Sequence, residues 1–284
     1  MKGIEKYILS VLLAIFVSPV CASPVSRNTI CGNALRLDGY MDYVRFPDSA
    51  SFVLGTTYTY EFWYKADTLS GGFIFNKWKS GYEDKQVAFD GYGKLFNFSY
   101  RWDPLTTVNT VTAINVGTWY HFAVTYSNNT VKMYIDGVLN VTATRTISNI
   151  ADSNGAVYIG RNADRGLGNN TLDGVIDEFR FYNRALSAAE VLQSYNDGVA
   201  GVKSTVSRAG LQAEWSFDEG AGTTVGDSSG KNNTGTFGTG SSAPTWEIYR
   251  EEEPPEPPDP ESVVPEPSTL ILLLSALLKK IWKR

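Results

Sequence analysis

From Ala34 to Tyr182 the chain is a succession of short segments in which large apolar residues alternate with polar ones, each interrupted by Gly, Asn or Asp. Thr57–Tyr64 (TYTYEFWY) is the sharpest example. Tyr58, Tyr60, Phe62 and Tyr64 fall on one side, and Thr59, Glu61 and Trp63 on the other. A period of two belongs to a strand with two distinct faces. Phe73–Lys77, Gln86–Phe89, Leu95–Arg101, Thr118–Tyr126, Thr130–Ile135, Val138–Ala143, Ala156–Gly160 and Gly174–Phe181 continue the series. Ser127-Asn128-Asn129 and Asp136-Gly137 supply hairpin turns, because Asn, Asp and Gly accept the positive φ that tight turns require. One helix is expected near residues 187–196. Ser187-Ala188-Ala189-Glu190 forms a capping box, Val191, Leu192 and Tyr195 supply an apolar side, and Gly198 marks a stop. The spacing predicts an all-β fold, two antiparallel sheets packed as a sandwich or jelly roll.

Composition narrows the function classes. The formal net charge is −5, and the body from residue 23 to 246 carries −3 of it with no basic stripe, which argues against nucleic-acid binding. His121 is the single histidine, and Cys21 and Cys31 are the two cysteines, so a metal site built on Cys and His is excluded. An oxygen-liganded ion such as calcium stays open.

Both termini carry addresses. Residues 1–22 have a basic start (Lys2, Lys6), an apolar stretch (Ile8–Val17) and small residues at Val20-Cys21-Ala22, the order of a secretory signal peptide. Cys21 would leave with it, and Cys31 would remain alone. Residues 247–264 are acidic and proline-rich, a solvated and extended spacer. Then come Pro265-Glu266-Pro267, an apolar run from Leu270 to Leu278, and Lys279, Lys280, Lys283 and Arg284. This tripartite tail, residues 265–284, resembles the PEP-CTERM sorting signal of Gram-negative bacteria. The resemblance implies an exosortase partner, which recognises the Pro-Glu-Pro motif, and a destination at the cell surface or in the extracellular matrix. The run is short for a hydrocarbon core of roughly 30 Å, so transient membrane association is expected rather than a lasting anchor.

Four ordered blocks carry a second resemblance: Leu35–Val44 (LRLDGYMDYV), Gly117–Tyr126 (GTWYHFAVTY), Tyr134–Gly137 (YIDG) and Leu172–Ser187 (LDGVIDEFRFYNRALS). They are similar to the signatures of LamG-like jelly rolls of the concanavalin A-like lectin/glucanase fold. Gly210–Gly222 with Asp227–Gly235 resembles the segment that usually opens such a domain, yet here it comes last. Either a second domain is truncated after Trp246, or residues 210–246 are the opening strands of one circularly permuted domain spanning 23–246. The second is favoured, because about forty residues bury too little to fold alone.

Candidate sites follow from chemistry and resemblance together. Glycosidases of this fold place acid and nucleophile on one strand face. Asp173, Asp177 and Glu178 fail that pattern, since strict alternation sends Glu178 away from the other two, and Glu214, Asp218 and Glu219 fail it in the same way. A catalytic role is not expected, for His121 as little as for these. The resemblance implies a structural calcium, with Asp38, Asp177, Asp218 and Glu219 in the matching blocks. A glycan would be met by aromatic faces and polar groups. Trp78, Tyr82, Tyr100, Trp102, Asp103 and Arg161 are the candidates, with Tyr92, Asp164 and Arg165 nearby in sequence. The expected function is a secreted, surface-sorted, non-catalytic module that binds carbohydrate or matrix. The alternatives are a divergent polysaccharide hydrolase and a purely structural matrix protein.

Overall fold

The computed structural model describes residues 32–53, 55–79, 82–98, 107–145, 154–162 and 171–249, with the side chains of 78, 79, 82–85 and 96–98 outside that description. The signal peptide and the sorting tail, with Pro265, Glu266 and Pro267, lie outside the described residues. All described residues fall in one compact unit that ends at Tyr249.

Among the described residues sixteen strands run in chain order: β1 (Ala34–Asp38), β2 (Val44–Phe46), β3 (Tyr58–Ala66), β4 (Gly72–Lys79), β5 (Tyr82–Phe89), β6 (Leu95–Phe98), β7 (Val108–Asn109) and β8 (Trp119–Ser127). They continue as β9 (Thr130–Ile135), β10 (Val138–Thr144), β11 (Val157–Ile159), β12 (Asp173–Tyr182), β13 (Leu211–Trp215), β14 (Thr224–Val225), β15 (Gly235–Phe237) and β16 (Thr245–Glu247). Sheet A has the order β10-β9-β8-β3-β12-β1-β16, with β13 also paired to β12. Sheet B has the order β14-β15-β2-β11-β4-β5-β6-β7. Every strand pairing among the described residues is antiparallel, so the expected two-sheet antiparallel sandwich is what the chain forms.

Alternation decides what the sandwich encloses. Tyr58, Tyr60, Phe62 and Tyr64 of β3 face Val44, Phe46, Phe75, Val87 and Phe89 of sheet B in one core. The segment that comes last is part of both layers. β13 lies beside β12, β15 beside β2 and β16 beside β1. Its Trp215 is fully buried and stacks on Phe46 at 3.8 Å, with Phe179 at 5.2 Å, and its indole N–H donates to the Asn233 carbonyl. The folded body also runs past residue 246, where the acidic composition begins. Glu247 pairs opposite Ala34 and bonds Arg36 at 2.6 Å.

Both short turns are two-residue loops with positive φ, Asn128 (49°) with Asn129 (56°) and Asp136 (51°) with Gly137 (74°). That handedness matches the twist of the flanking strands. The helix α1 covers Ala188–Val199 and starts on the predicted capping box. The Ser187 hydroxyl accepts from the Glu190 N–H, and the Glu190 carboxylate accepts from the Ser187 N–H. Its end differs from the expected stop at Gly198. The helix passes through Gly198, and Gly201 takes the positive φ of 65°. Gly198 serves packing instead, because a Cβ there would stand 2.5 Å from the Trp63 indole.

Candidate functional site

The two outer faces of the sandwich hold different chemistry. On sheet A the outward residues of β3, β8 and β12 include Glu61, Trp63, His121 and Arg180, and α1 lies over them through Tyr195 and Gly198. Arg180 donates to Glu61 at 3.4 Å and to Glu214 at 3.0 Å, and also bonds Glu178. Arg208 holds the other oxygen of Glu214 at 2.7 Å. Glu61 has no exposed surface, so burial raises its pKa, and Arg180 opposes that rise. His121 is equally enclosed, 3.8 Å from Glu61, and burial with the Arg180 charge lowers its pKa to about 3. Neither ring nitrogen of His121 has a hydrogen-bond partner.

A bulge organises one end of this face. Glu178 has φ 50° and the β12–β3 register shifts between Asp177 and Arg180. Counted from core-facing Ile176, strict alternation would send Glu178 and Arg180 inward; the bulge resets the phase, so Phe179 enters the core and Glu178 bonds Arg180. Across the same bulge the neighbour of β12 changes from β1 to β13, and Asp218 follows the end of β13. Burial, then repulsion from Glu178 and Asp218, hold the Asp177 pKa well above the carboxylate range.

The four residues aligned for calcium therefore do not converge. Asp177 and Asp218 are near each other. Asp38 lies at the opposite end of β1, paired with Asp173, and its carboxylate accepts from the Tyr40 N–H. Glu219 accepts from the Gly226 N–H at 2.7 Å, and Asp218 from the Asn33 N–H at 3.2 Å. Among the described residues no group of three or more His, Cys, Asp or Glu is set to hold a metal ion.

Sheet B presents a file of outward residues. Val44, Phe46, Val157 and Ile159 point into the core, so Tyr43, Arg45 and Tyr158 stand on the outer face. The registers Thr236↔Arg45, Arg45↔Tyr158, Tyr158↔Asn76 and Asn76↔Gln86 align five strands. At about 4.8 Å per strand the file is roughly 19 Å long. Arg161 follows β11 and lies over two rings, 3.9 Å from the Tyr43 centroid and 5.3 Å from that of Tyr158. The two tyrosine rings are 5.7 Å apart. Arg45 is exposed, while Tyr43, Tyr158 and Arg161 are half-buried.

Polar atoms along this file lack partners. Both amide atoms of Asn76, the Oε1 of Gln86 and the Nε of Arg161 are buried with no hydrogen bond. A buried polar group without a partner costs roughly 1–3 kcal/mol, and a water, an ion or a ligand that completes it is one explanation for its presence.

Of the glycan candidates, Arg161 sits in this cluster. Trp78 and Tyr82 lie on β4 and β5 of the same sheet, their side chains outside the described residues. Tyr100, Trp102, Asp103, Asp164 and Arg165 are also outside them. Tyr92 is in an exposed turn held by Asp90, whose carboxylate accepts from the N–H groups of Tyr92 and Lys94. Sequence reasoning missed Tyr43, Arg45, Tyr158, Asn76 and Gln86. Alternation with Val44 and Phe46 does mark Tyr43 and Arg45 as outward-facing.

A family model described as the concanavalin A-like lectin/glucanases superfamily (Laminin_G_3) matches residues 38–192. Among solved structures, a candidate carbohydrate-binding protein of Bacteroides ovatus is similar, with 17% identity and a TM-score of 0.58. The match covers 78% of this chain and 60% of that one, so the chain spans well under two thirds of that protein. Domain 4 of an extracellular arabinanase of Geobacillus stearothermophilus, in complex with arabinotriose, aligns with 25% identity and a TM-score of 0.46, over 58% of this chain and 77% of that chain. A heptameric pentraxin of Limulus polyphemus aligns at 16% identity and a TM-score of 0.49, over 64% and 89%. No curated protein sequence matches the chain.

Proposed function

The chain belongs to the concanavalin A-like lectin/glucanase superfamily, and from that premise we propose that it is a non-catalytic carbohydrate-binding module working outside the cell. The observation that carries the proposal is the outer file of sheet B. Arg161 rests on Tyr43 and Tyr158, in line with the partnerless Asn76 and Gln86 amides. Aromatic rings give a sugar's apolar face something to pack on, and amide and guanidinium groups fix its hydroxyls. The Bacteroides protein of the same fold is named for carbohydrate binding, which supports the reading. Signal peptide and PEP-CTERM-like tail supply the delivery: secretion, processing by an exosortase, and release or retention at the cell surface or matrix. There the module would hold an extracellular polysaccharide.

A glycan array probed with the purified chain, with calcium and again with a chelator, tests this. We expect binding that falls about tenfold or more in Tyr158→Ala and Arg161→Ala, the loss of about 1.4 kcal/mol or more that removing one good stacking or charged contact brings. No binding even with calcium present, or binding that ignores both substitutions, would defeat it. Sugar release from a bound polymer would favour the hydrolase reading instead.

A further inference from the structure

The described arginines divide into three groups by what their guanidinium meets. Arg36 bonds Asp67 and Glu247, Arg180 bonds Glu61, Glu178 and Glu214, Arg184 bonds Glu190, and Arg208 bonds Glu214. Arg145 instead donates to the carbonyls of Thr107 and Thr144. Arg45 and Arg161 pair with no carboxylate among the described residues. Scarcity of acid is not the cause, since Asp and Glu number 30 against 25 Lys and Arg. The neighbouring cation, Lys77, is buried and has its own partner, Asp48 at 3.2 Å. Two positive side chains are thus placed on one face, over and beside two tyrosines, with their counter-charge left out.

We propose that the bound glycan supplies it: the sheet B face of Arg45, Arg161, Tyr43 and Tyr158 recognises a polysaccharide bearing anionic groups, carboxylate or sulfate. The inference rests on the carbohydrate-binding reading above and names the ligand's charge. A guanidinium offers donors alone, in a planar fork that meets the two oxygens of a carboxylate or the edge of a sulfate. The Arg161 guanidinium is packed against two rings, so less side-chain freedom remains to be lost when the anion arrives. Its buried Nε lacks an acceptor in the free protein, and an anion is the strongest acceptor available.

The test uses the full chain and four polymers: polygalacturonate, the same polymer with its carboxyl groups reduced, dextran sulfate, and dextran. We expect polygalacturonate or dextran sulfate to bind about tenfold or more tighter than its uncharged counterpart, because a hydrogen bond to a charged group is stronger than one between neutral groups. Which of the two binds identifies the anion. Affinity should fall as salt rises from about 50 to about 500 mM, as screening requires. Arg161→Gln and Arg45→Gln should each remove most of the preference for charge, with Arg161→Lys intermediate because charge stays and the fork is lost. An unchanged urea midpoint will show that these variants still fold. If neutral and charged polymers bind equally and Tyr158→Ala weakens both, the charge inference fails while the glycan reading stands. If no polymer binds, both fail.

Discussion

On the outer face of sheet A, Arg180 meets three carboxylates beneath a helix. On the outer face of sheet B, Arg161 lies over two tyrosines and meets no carboxylate among the described residues. Both faces belong to sheets whose other side fills the same core. The difference lies in what closes them. The residues that follow β12 return as α1 and β13 and seal sheet A, so its charges had to be matched inside the chain. A charge enclosed without a partner would cost several kcal/mol. Around Arg45 and Arg161 the face is open enough for solvent to bear that cost, and a ligand can replace the solvent. One back of the sandwich matches its charges inside the chain, and the other leaves two arginines without a carboxylate among the described residues.

The largest expected effect separates the two arginines. Arg180→Met strips Glu61 of its cation where nothing is exposed and should cost about 3–5 kcal/mol, the usual consequence of breaking a buried pair. Arg161→Met removes a guanidinium that lies over Tyr43 at a half-buried site and pairs with no carboxylate among the described residues, and should cost under about 1 kcal/mol. Urea unfolding measures both. The Glu61 carboxyl, already raised by burial, can take up a proton once Arg180 is gone, so the Arg180→Met cost should shrink at acid pH. Equal costs for the two variants would erase the distinction between the faces. Glycan binding should order them the other way round.

Next comes Gly198→Ala, which tests how tightly sheet A is sealed. Alanine favours a helix over glycine by up to about 1 kcal/mol, so propensity alone predicts a gain. The added Cβ would stand 2.5 Å from the Trp63 ring, which is itself stacked on Tyr195 at 5.7 Å. Overpacking of this kind costs about 1–3 kcal/mol. We expect a net loss of about 2 kcal/mol, with the helix still present by circular dichroism. A stabilised variant would mean that α1 rests loosely on the sheet.

Much of the architecture is legible because it is local. The alternation of Thr57–Tyr64, the turns at Asn128-Asn129 and Asp136-Gly137 and the capping box at Ser187 each state their outcome within a few residues. Other features depend on neighbours far away in the chain. Glu178 has no glycine beside its bulge to announce a positive φ, and the bulge answers to a change of partner strand from β1 to β13. Gly198 reads as a stop until Trp63, 135 residues earlier, is seen against it. The same holds for the proposed binding face. Tyr43, Arg45, Tyr158, Asn76 and Gln86 come together through the order β2-β11-β4-β5, and no segment of sequence contains that order. Aromatic density pointed to residues 78–103 instead. It reached sheet B through Trp78 and Tyr82, while Arg161, the one candidate within the proposed cluster, came from a separate Gly- and Asn-rich stretch.

The smallest effect concerns His121, and pH exposes it. Its imidazole faces Glu61 of β3, Arg180 of β12 and Tyr195 of α1, and its backbone N–H donates to Asp136. Burial, then Arg180, lowers its folded pKa to about 3 against 6.5 for the free side chain. The unfolded chain therefore binds more protons between these values, and the stability held by a neutral His121 is complete above about 6.5 and drains away as pH falls toward 3. At pH 5.5 the loss is about 1.4 kcal/mol. Asp42, raised to about 6 chiefly by burial, works in the opposite sense, as do the raised Asp177 and Glu61, because their folded forms hold protons that the unfolded chain gives up. His121→Phe removes the first contribution and leaves the others. Neither ring nitrogen forfeits a bond in the exchange, since neither has one. Whatever the absolute stability of His121→Phe, its melting temperature should hold or rise from pH 7 to 5 while the natural protein's falls relative to it. Parallel curves would show that the imidazole reaches solvent, and that sheet A is less sealed than its matched charges require.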